Sequence, residues 1–444
     1  VWVLCDQLRA HELSHRGGVN ARTPNLDDLA GSGQNFLGAC AGAPWCCPFR
    51  GALLTGLYPH QNGVTRTPPG RPLDPAIPTV AHAFNDAGYH TAWVGKWHLD
   101  GSNHRTHRVP PERRGGFAHW LGYENNNNQH ESYVHGVGCE TPQRLQGYEP
   151  DALADLFAGH LRDHVNGRPN DYQPFFACLS VQPPHDPYWG PINPPYASSV
   201  PGPDKIALRP NVPRGAALQE QARRDAYGYA RMVENIDWNV GRLRLALREL
   251  GIDRETWIVF MSDHGDMLGS HGQRGKSSPW EESIRIPFIV ARVGGPYAMK
   301  VGENDAPLNH VDIAPTSLGL CGIRPPGAMA GFDYSGLCRR QADPPQAPPE
   351  SAFLQQIEYK RHARTVNRTW RGVVTRDGWK YACMSGHDWL LHCLPEDPYE
   401  QDNRAYNSHY AAQRERCHRL LRDWIRRTGD AFELPPLDFE RPSP

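Results

Sequence analysis

The chain has 444 residues, 39% hydrophobic and 21% charged, with a formal net charge of −1 and 11 cysteines. That length exceeds one simple core, so two domains are expected. The near-neutral charge excludes a nucleic-acid binder working through bulk charge, no run of about 18 apolar residues offers a membrane span, and the odd, irregularly spaced cysteines suit buried thiols better than a disulfide framework or zinc module.

Val1–Cys5 reads as a buried strand ending at Asp6-Gln7. Because Val1 already lies in that strand, any leader peptide would lie upstream, and secreted, periplasmic and cytoplasmic settings all stay open for a soluble protein. Asn25–Gly31 reads as a helix. The segment Cys46-Cys47-Pro48-Phe49-Arg50-Gly51-Ala52-Leu53-Leu54-Thr55-Gly56 then runs a cysteine into a helical pattern. Pro48 fits a first turn, where a missing N–H costs nothing. Cys46 falls at the helix entrance, where unpaired N–H groups and the macrodipole favour an anion. Arg50 lies one turn later and can reach the same anion. Read alone, the stretch also fits a buried thiol pair at an ordinary helix start.

A helix over Thr79–Ala87 precedes the strand Thr91–Val94, which is followed by Gly95-Lys96-Trp97-His98. In an extended chain Lys96 and His98 point to one side, the first a point charge and the second a base near neutral pH. The polar stretch Gly101–Pro150 shows no regular period and is expected to form a substrate-facing wall, as is the proline-rich Pro183–Pro213. Between them come a helix over Asp151–Val165 and a strand over Phe175–Val181, then Pro183-Pro184-His185-Asp186-Pro187, whose prolines leave His185 little freedom to lose.

The clearest helix spans Arg223–Leu250, with Ala230, Val233, Ile236, Val240, Leu243 and Leu247 on one face and Gly251 as its stop. Strand Trp257–Met261 ends at Ser262-Asp263-His264-Gly265-Asp266; Lys276 follows, before strand Phe288–Ala291. Proline and glycine dominate from Arg324 to Glu350, which sets the expected domains at 1–340 and 341–444. Short antiparallel strands in Arg371–Met384 and Trp389–Leu394 and a closing helix over Ala412–Thr428 complete the smaller α+β unit.

The alternation predicts an α/β fold, a mostly parallel central sheet flanked by helices. Ligands of such sheets bind beyond the carboxyl ends of the strands. Asp6-Gln7 and Asp263-His264 both end buried strands and can converge there, and their hard oxygen donors suit calcium or magnesium. Singly, each aspartate also reads as a helix cap.

Cys-x-Pro-x-Arg running into Leu-Thr-Gly, Gly-Lys-Trp-His, Pro-His-x-Pro and the Asp-His after a late strand together resemble the type I, formylglycine-dependent sulfatases of the alkaline-phosphatase-like superfamily. Similar words recur at Thr23-Pro24-Asn25, Tyr58-Pro59-His60, His310-Val311-Asp312 and Asp377-Gly378-Trp379. The resemblance implies that a maturation enzyme converts Cys46 to formylglycine, and that a divalent metal sits among Asp6, Gln7, residue 46, Asp263 and His264. Calcium is the first expectation, with Mn²⁺ or Mg²⁺ behind it. Gln7 departs from the commoner Asp-Asp, and Phe49 stands where Ser or Ala is common. The implied reaction is attack on sulfur by one hydroxyl of hydrated formylglycine. Arg50, Lys96 and Lys276 would hold the sulfate oxygens and His185 would protonate the leaving alcohol. His98 would deprotonate the second hydroxyl, which expels sulfate. Trp120, Tyr123, Tyr133, Tyr188 and Trp189 lean the substrate towards a sulfated saccharide. The rivals are a phosphonate monoester or phosphodiester hydrolase on the same site, favoured by Asp-Gln, and a catalytically silent sulfoglycan-binding protein.

Overall fold

The computed structural model describes the chain except residues 69, 168–172, 293–298, 340–346, 359–364 and 437–444. Its first half starts with β1 (Trp2–Asp6), helix α1 (Pro24–Gly31), β2 (Gln34–Phe36), α2 (Cys46–Thr55), α3 (Val80–Asp86) and β3 (His90–Lys96). Strands β4 (His119–Tyr123), β5 (Tyr133–Gly136) and β6 (Cys139–Arg144), helix α4 (Glu149–Asn166) and β7 (Phe175–Pro184) follow. The long α5 (Ala216–Glu249), β8 (Trp257–Ser262), β9 (Phe288–Arg292), β10 (Gly302–Asn304) and α6 (Ile313–Leu320) complete this part.

These strands form one ten-stranded sheet in the order β10-β2-β9-β8-β1-β7-β3-β4-β5-β6. The core β8-β1-β7-β3-β4 is parallel, while β9 pairs antiparallel with both β8 and β2, and β5 and β6 form an antiparallel edge. Alternation along each strand builds the two helical layers. Val3 and Cys5 face one cluster with Leu26 of α1, Phe157 of α4 and Val233 of α5. Trp2 and Leu4 face the opposite cluster with Leu53 of α2, Phe84 of α3 and Leu318 of α6. All six apolar residues that marked the long helix in sequence are buried.

The stretch Gly101–Pro150, which shows no regular period in sequence, contributes β4, β5 and β6 and the start of α4, while its Asn103, Asn125 and Asn127 line a cleft as the expected wall would. Its regularity was hidden because β6 is largely solvent-facing and carries no apolar alternation. Trp120 and Tyr123 on β4 are 0% and 1% exposed, so they are core residues and not a sugar-facing surface.

A second, four-stranded antiparallel sheet runs β11 (Ser351–Gln356), β12 (Trp370–Thr375), β13 (Trp379–Met384), β14 (His387–Cys393). Cys417, Leu421 and Trp424 of α7 (Ala411–Thr428) cover one face. The other face packs Ala352, Leu354, Trp370 and Leu390 on Met267, Trp280 and Ile284 of the first part. The boundary expected at 340/341 lies outside the described residues. Among the described residues no helix is long and apolar enough to cross a membrane, and nine of the 11 cysteines are buried, all as free thiols.

Candidate active site

Four neighbouring parallel strands deliver the site. Asp6 closes β1, Lys96 closes β3, His185 follows β7, and Asp263 and His264 follow β8. All emerge at carboxyl ends, the edge where helix N-termini and free backbone groups gather. Helix α2 starts at Cys46, with Trp45 in extended conformation as its N-cap and Gly56 at φ 65° ending it. Cys46 is thus held at a helix entrance over the strand ends.

The donor atoms of Asp6, Cys46, Asp263 and His264 all lie within 4.8 Å of one another, and all four residues are buried. Cys46 Sγ is 3.2 Å from His264 Nε2 and 3.7 Å from Asp6 Oδ1. His264 Nδ1 is 2.9 Å from the Gly265 carbonyl; with Nδ1–H donated there, Nε2 is the atom that can present a lone pair to a cation in the cluster. Two carboxylates, an imidazole lone pair and residue 46 make a donor set that fits a divalent cation.

Arg50 is the main departure from the sequence reading, which had it grip the sulfate. Its Nε donates to Asp263 Oδ2 and its Nη2 to Asp6 Oδ2, each at 3.2 Å, and its Nη1 donates to the Lys96 carbonyl and Ser180 Oγ. The guanidinium therefore braces the two carboxylates from beneath. A fully buried charge demands that pairing.

Lys96 Nζ donates to Asp6 Oδ2 at 2.5 Å. Burial and the neighbouring Cys46 push the Asp6 carboxyl up, but Lys96, His185 and Lys276 outweigh them and hold it well below the carboxylate range. Asp263, by contrast, is pushed up to about 6 by burial and by Asp6. The Cys46 thiol is opposed by burial, yet Lys276, His264 and Lys96 bring it well below the ordinary range. Cys47, one residue on, is pushed well up by burial and by Cys46.

His98 is buried at φ 61° with neither ring nitrogen hydrogen-bonded, and burial beside Lys96 lowers it to about 4. Lys276 Nζ lies 2.7 Å from His185 Nε2 and 2.6 Å from Gln7 Oε1. Gln7, expected among the metal donors, is at φ 72° and turns its amide oxygen to Lys276. These groups floor a cleft of about 800 Å³ whose walls include Trp45, Asn103, Asn125, Asn127, Tyr188 and Arg274.

Asp266 was not singled out from the sequence. Its carboxylate accepts from Gln7 Nε2 and Tyr188 Oη, each at 2.6 Å, and from the backbone N–H of Leu268 and Gly275, each at 3.0 Å. It thereby sets which way the Gln7 amide faces and anchors the turn that carries Lys276. The available signal was its own motif, an acidic residue two beyond His264 with no cap to make. Replacement by alanine strips the acceptor from Tyr188 Oη and from two backbone N–H groups and leaves Gln7 Nε2 only Asp186 Oδ1 at 3.3 Å; Gln7 and Leu268 are buried, and each buried donor so weakened costs roughly 1–3 kcal/mol. Asp266→Ala is therefore expected to lower the thermal midpoint by about 2–6 °C, as read by differential scanning calorimetry.

Residues 1–323 match the family model described as Sulfatase, and residues 269–427 match that of the N-sulphoglucosamine sulphohydrolase C-terminal region. The chain is 30% identical to an ulvan-active sulfatase of Formosa agariphila, over 98% of this chain and 82% of the relative. It is 29% identical to an endo-4-O-sulfatase of Bacteroides thetaiotaomicron, over 81% and 76% of the two chains. A solved Bacteroides fragilis structure described as a sulfatase superposes with a TM-score of 0.81 at 26% identity, covering 97% of this chain and 96% of that one.

Proposed function

The chain belongs to the sulfatase family and is a sulfuric ester hydrolase, and from that premise we propose that it desulfates a saccharide, with residue 46 as the nucleophile. The observation that carries the reading is the convergence of Cys46, at the α2 entrance, with Asp6, Asp263 and His264 within 4.8 Å. The saccharide follows from an ulvan-active relative and from a cleft walled by neutral amides, which pair with sugar hydroxyls.

The family works with a formylglycine and a divalent metal. Asp6, Asp263, His264 and residue 46 would hold the metal, for which Ca²⁺ suits the carboxylate donors best. When bound, these groups supply an oxygen nucleophile at neutral pH and draw charge from the sulfate oxygens. Lys96 and Lys276 add fixed positive charge where the sulfate gathers electron density. Arg50 keeps both carboxylates in place. His185 is assigned as the acid for the departing alcohol: its Nδ1 donates to the Asp186 carbonyl at 2.6 Å, and its Nε2, which accepts from Lys276 Nζ at 2.7 Å, is the atom that would carry the proton to the alcohol once Lys276 turns to the sulfate. His98 is kept uncharged by its burial and can accept a proton on release of sulfate.

The test is a screen of sulfated mono- and oligosaccharides, ulvan fragments included, against fully matured enzyme, with aryl sulfate and aryl phosphonate esters alongside. Release of sulfate from a saccharide is the expected result, whereas faster cleavage of the phosphonate would replace the reading with the phosphonate hydrolase. An unmodified Cys46 peptide mass in protein that still binds sulfated glycan would mark a silent binder.

His185→Ala is expected to slow a sugar sulfate by about 10²–10⁴-fold, the range typical of a general acid, and a nitrophenyl sulfate far less. The good leaving group departs without a proton, so the gap reads the acid directly. Equal slowing of both esters in steady-state kinetics would move His185 to sulfate positioning.

A further inference from the structure

A second cleft, of about 730 Å³, lies beside the first and against the C-terminal sheet. Half-buried Trp389 gives the cleft its aromatic wall, braced edge-on at 5.6 Å by the buried Trp280, which stacks on His271. Met384 and His387, at the turn between β13 and β14, add to the wall, as does Gln273. Two stretches of chain join the clefts. Gln273 lines the second and Arg274–Lys276 the first, while Val366 lines the second and Thr365 the first. At that junction Gln273 Oε1 and Thr365 Oγ1 are buried and have no hydrogen-bond partner.

We infer that this second cleft is a subsite for the sugar residues that continue beyond the sulfated one, so that the enzyme is built for an oligosaccharide or polysaccharide chain. This rests on the saccharide reading above. The C–H faces of a pyranose pack on the electron-rich face of an indole. Its hydroxyls supply donors and acceptors of the kind that Gln273 Oε1 and Thr365 Oγ1 lack, and leaving such buried groups unpaired is costly. Continuity with the sulfate pocket selects the occupant: a chain anchored by its sulfate at residue 46 meets the junction first and the Trp389 indole next.

The experiment measures kcat/KM of matured enzyme on p-nitrophenyl sulfate and on sulfated mono- to hexasaccharides from ulvan and from a 4-O-sulfated glycosaminoglycan. In the unaltered enzyme the value should climb about tenfold from mono- to tetrasaccharide, equivalent to about 1.4 kcal/mol. Trp389→Ala and Gln273→Ala should each remove most of that gain through KM and leave p-nitrophenyl sulfate turnover unchanged, which also certifies folding. Trp389→Phe should retain most of it. Absence of a length gain, or a gain that survives in both alanine variants, overturns the subsite while leaving the saccharide reading standing. If p-nitrophenyl sulfate is cleaved and no saccharide of any length is, the saccharide reading falls and the subsite falls with it.

Discussion

Cys46→Ala should abolish sulfate release, a loss on the order of 10⁶-fold as for removal of a nucleophile elsewhere, while Cys47→Ala should retain most of the activity. The two thiols are adjacent in sequence and opposite in environment. Cys46 faces His264 at 3.2 Å and is held low by Lys276, His264 and Lys96 against its burial. Cys47 packs with Phe49, Leu53 and Leu54 in an apolar cluster, and burial pushes it well up. Losing that thiol removes a small buried group, about 1 kcal/mol of stability. Turnover of p-nitrophenyl sulfate and of the preferred sugar sulfate, with thermal midpoints for both variants, checks the contrast. Comparable inactivation of two well-folded variants would remove Cys46 from the role.

Chelation should take activity to background, and stoichiometric Ca²⁺ should bring it back, at one ion per chain. Without a cation, Asp6 and Asp263 are fully buried like charges braced by Arg50 and Lys96, and Asp263 is pushed up to about 6 by burial and Asp6. An ion that relieves this binds the folded chain alone, so it should also raise the thermal midpoint. At a hundred times its Kd the gain is about 2.7 kcal/mol. Isothermal titration and thermal shift on chelated protein read binding independently of turnover. Asp263→Asn should weaken the ion's hold, and Mn²⁺ and Mg²⁺ should substitute less well. A midpoint indifferent to calcium, in protein whose activity also ignores chelator, would dismiss the assignment.

What the sequence determined by itself was local in its physics. Asp6, Lys96, His185 and Asp263 could be marked because each follows directly on a short apolar run, and a parallel sheet places all such ends on one edge. Cys46 could be marked because Pro48 and Gly56 announce where a short helix begins and ends. The long helix was legible because burial on one face imposes its period on Val233, Ile236, Val240 and Leu243.

What only the tertiary structure decided were partnerships between residues far apart in the chain. One turn of helix brings Arg50 near Cys46, but that spacing says nothing of which anion it meets; its Nε pairs with Asp263, 213 residues away. Gln7 was a plausible ligand by position, and its amide is turned to Lys276 by Asp266, 259 residues on. Trp120 and Tyr123 looked available in a polar segment, and pairing of β4 with β3 buries them. A side chain's type and the run it follows are written locally, whereas its hydrogen-bond partner and its exposure are set by elements the sheet brings alongside.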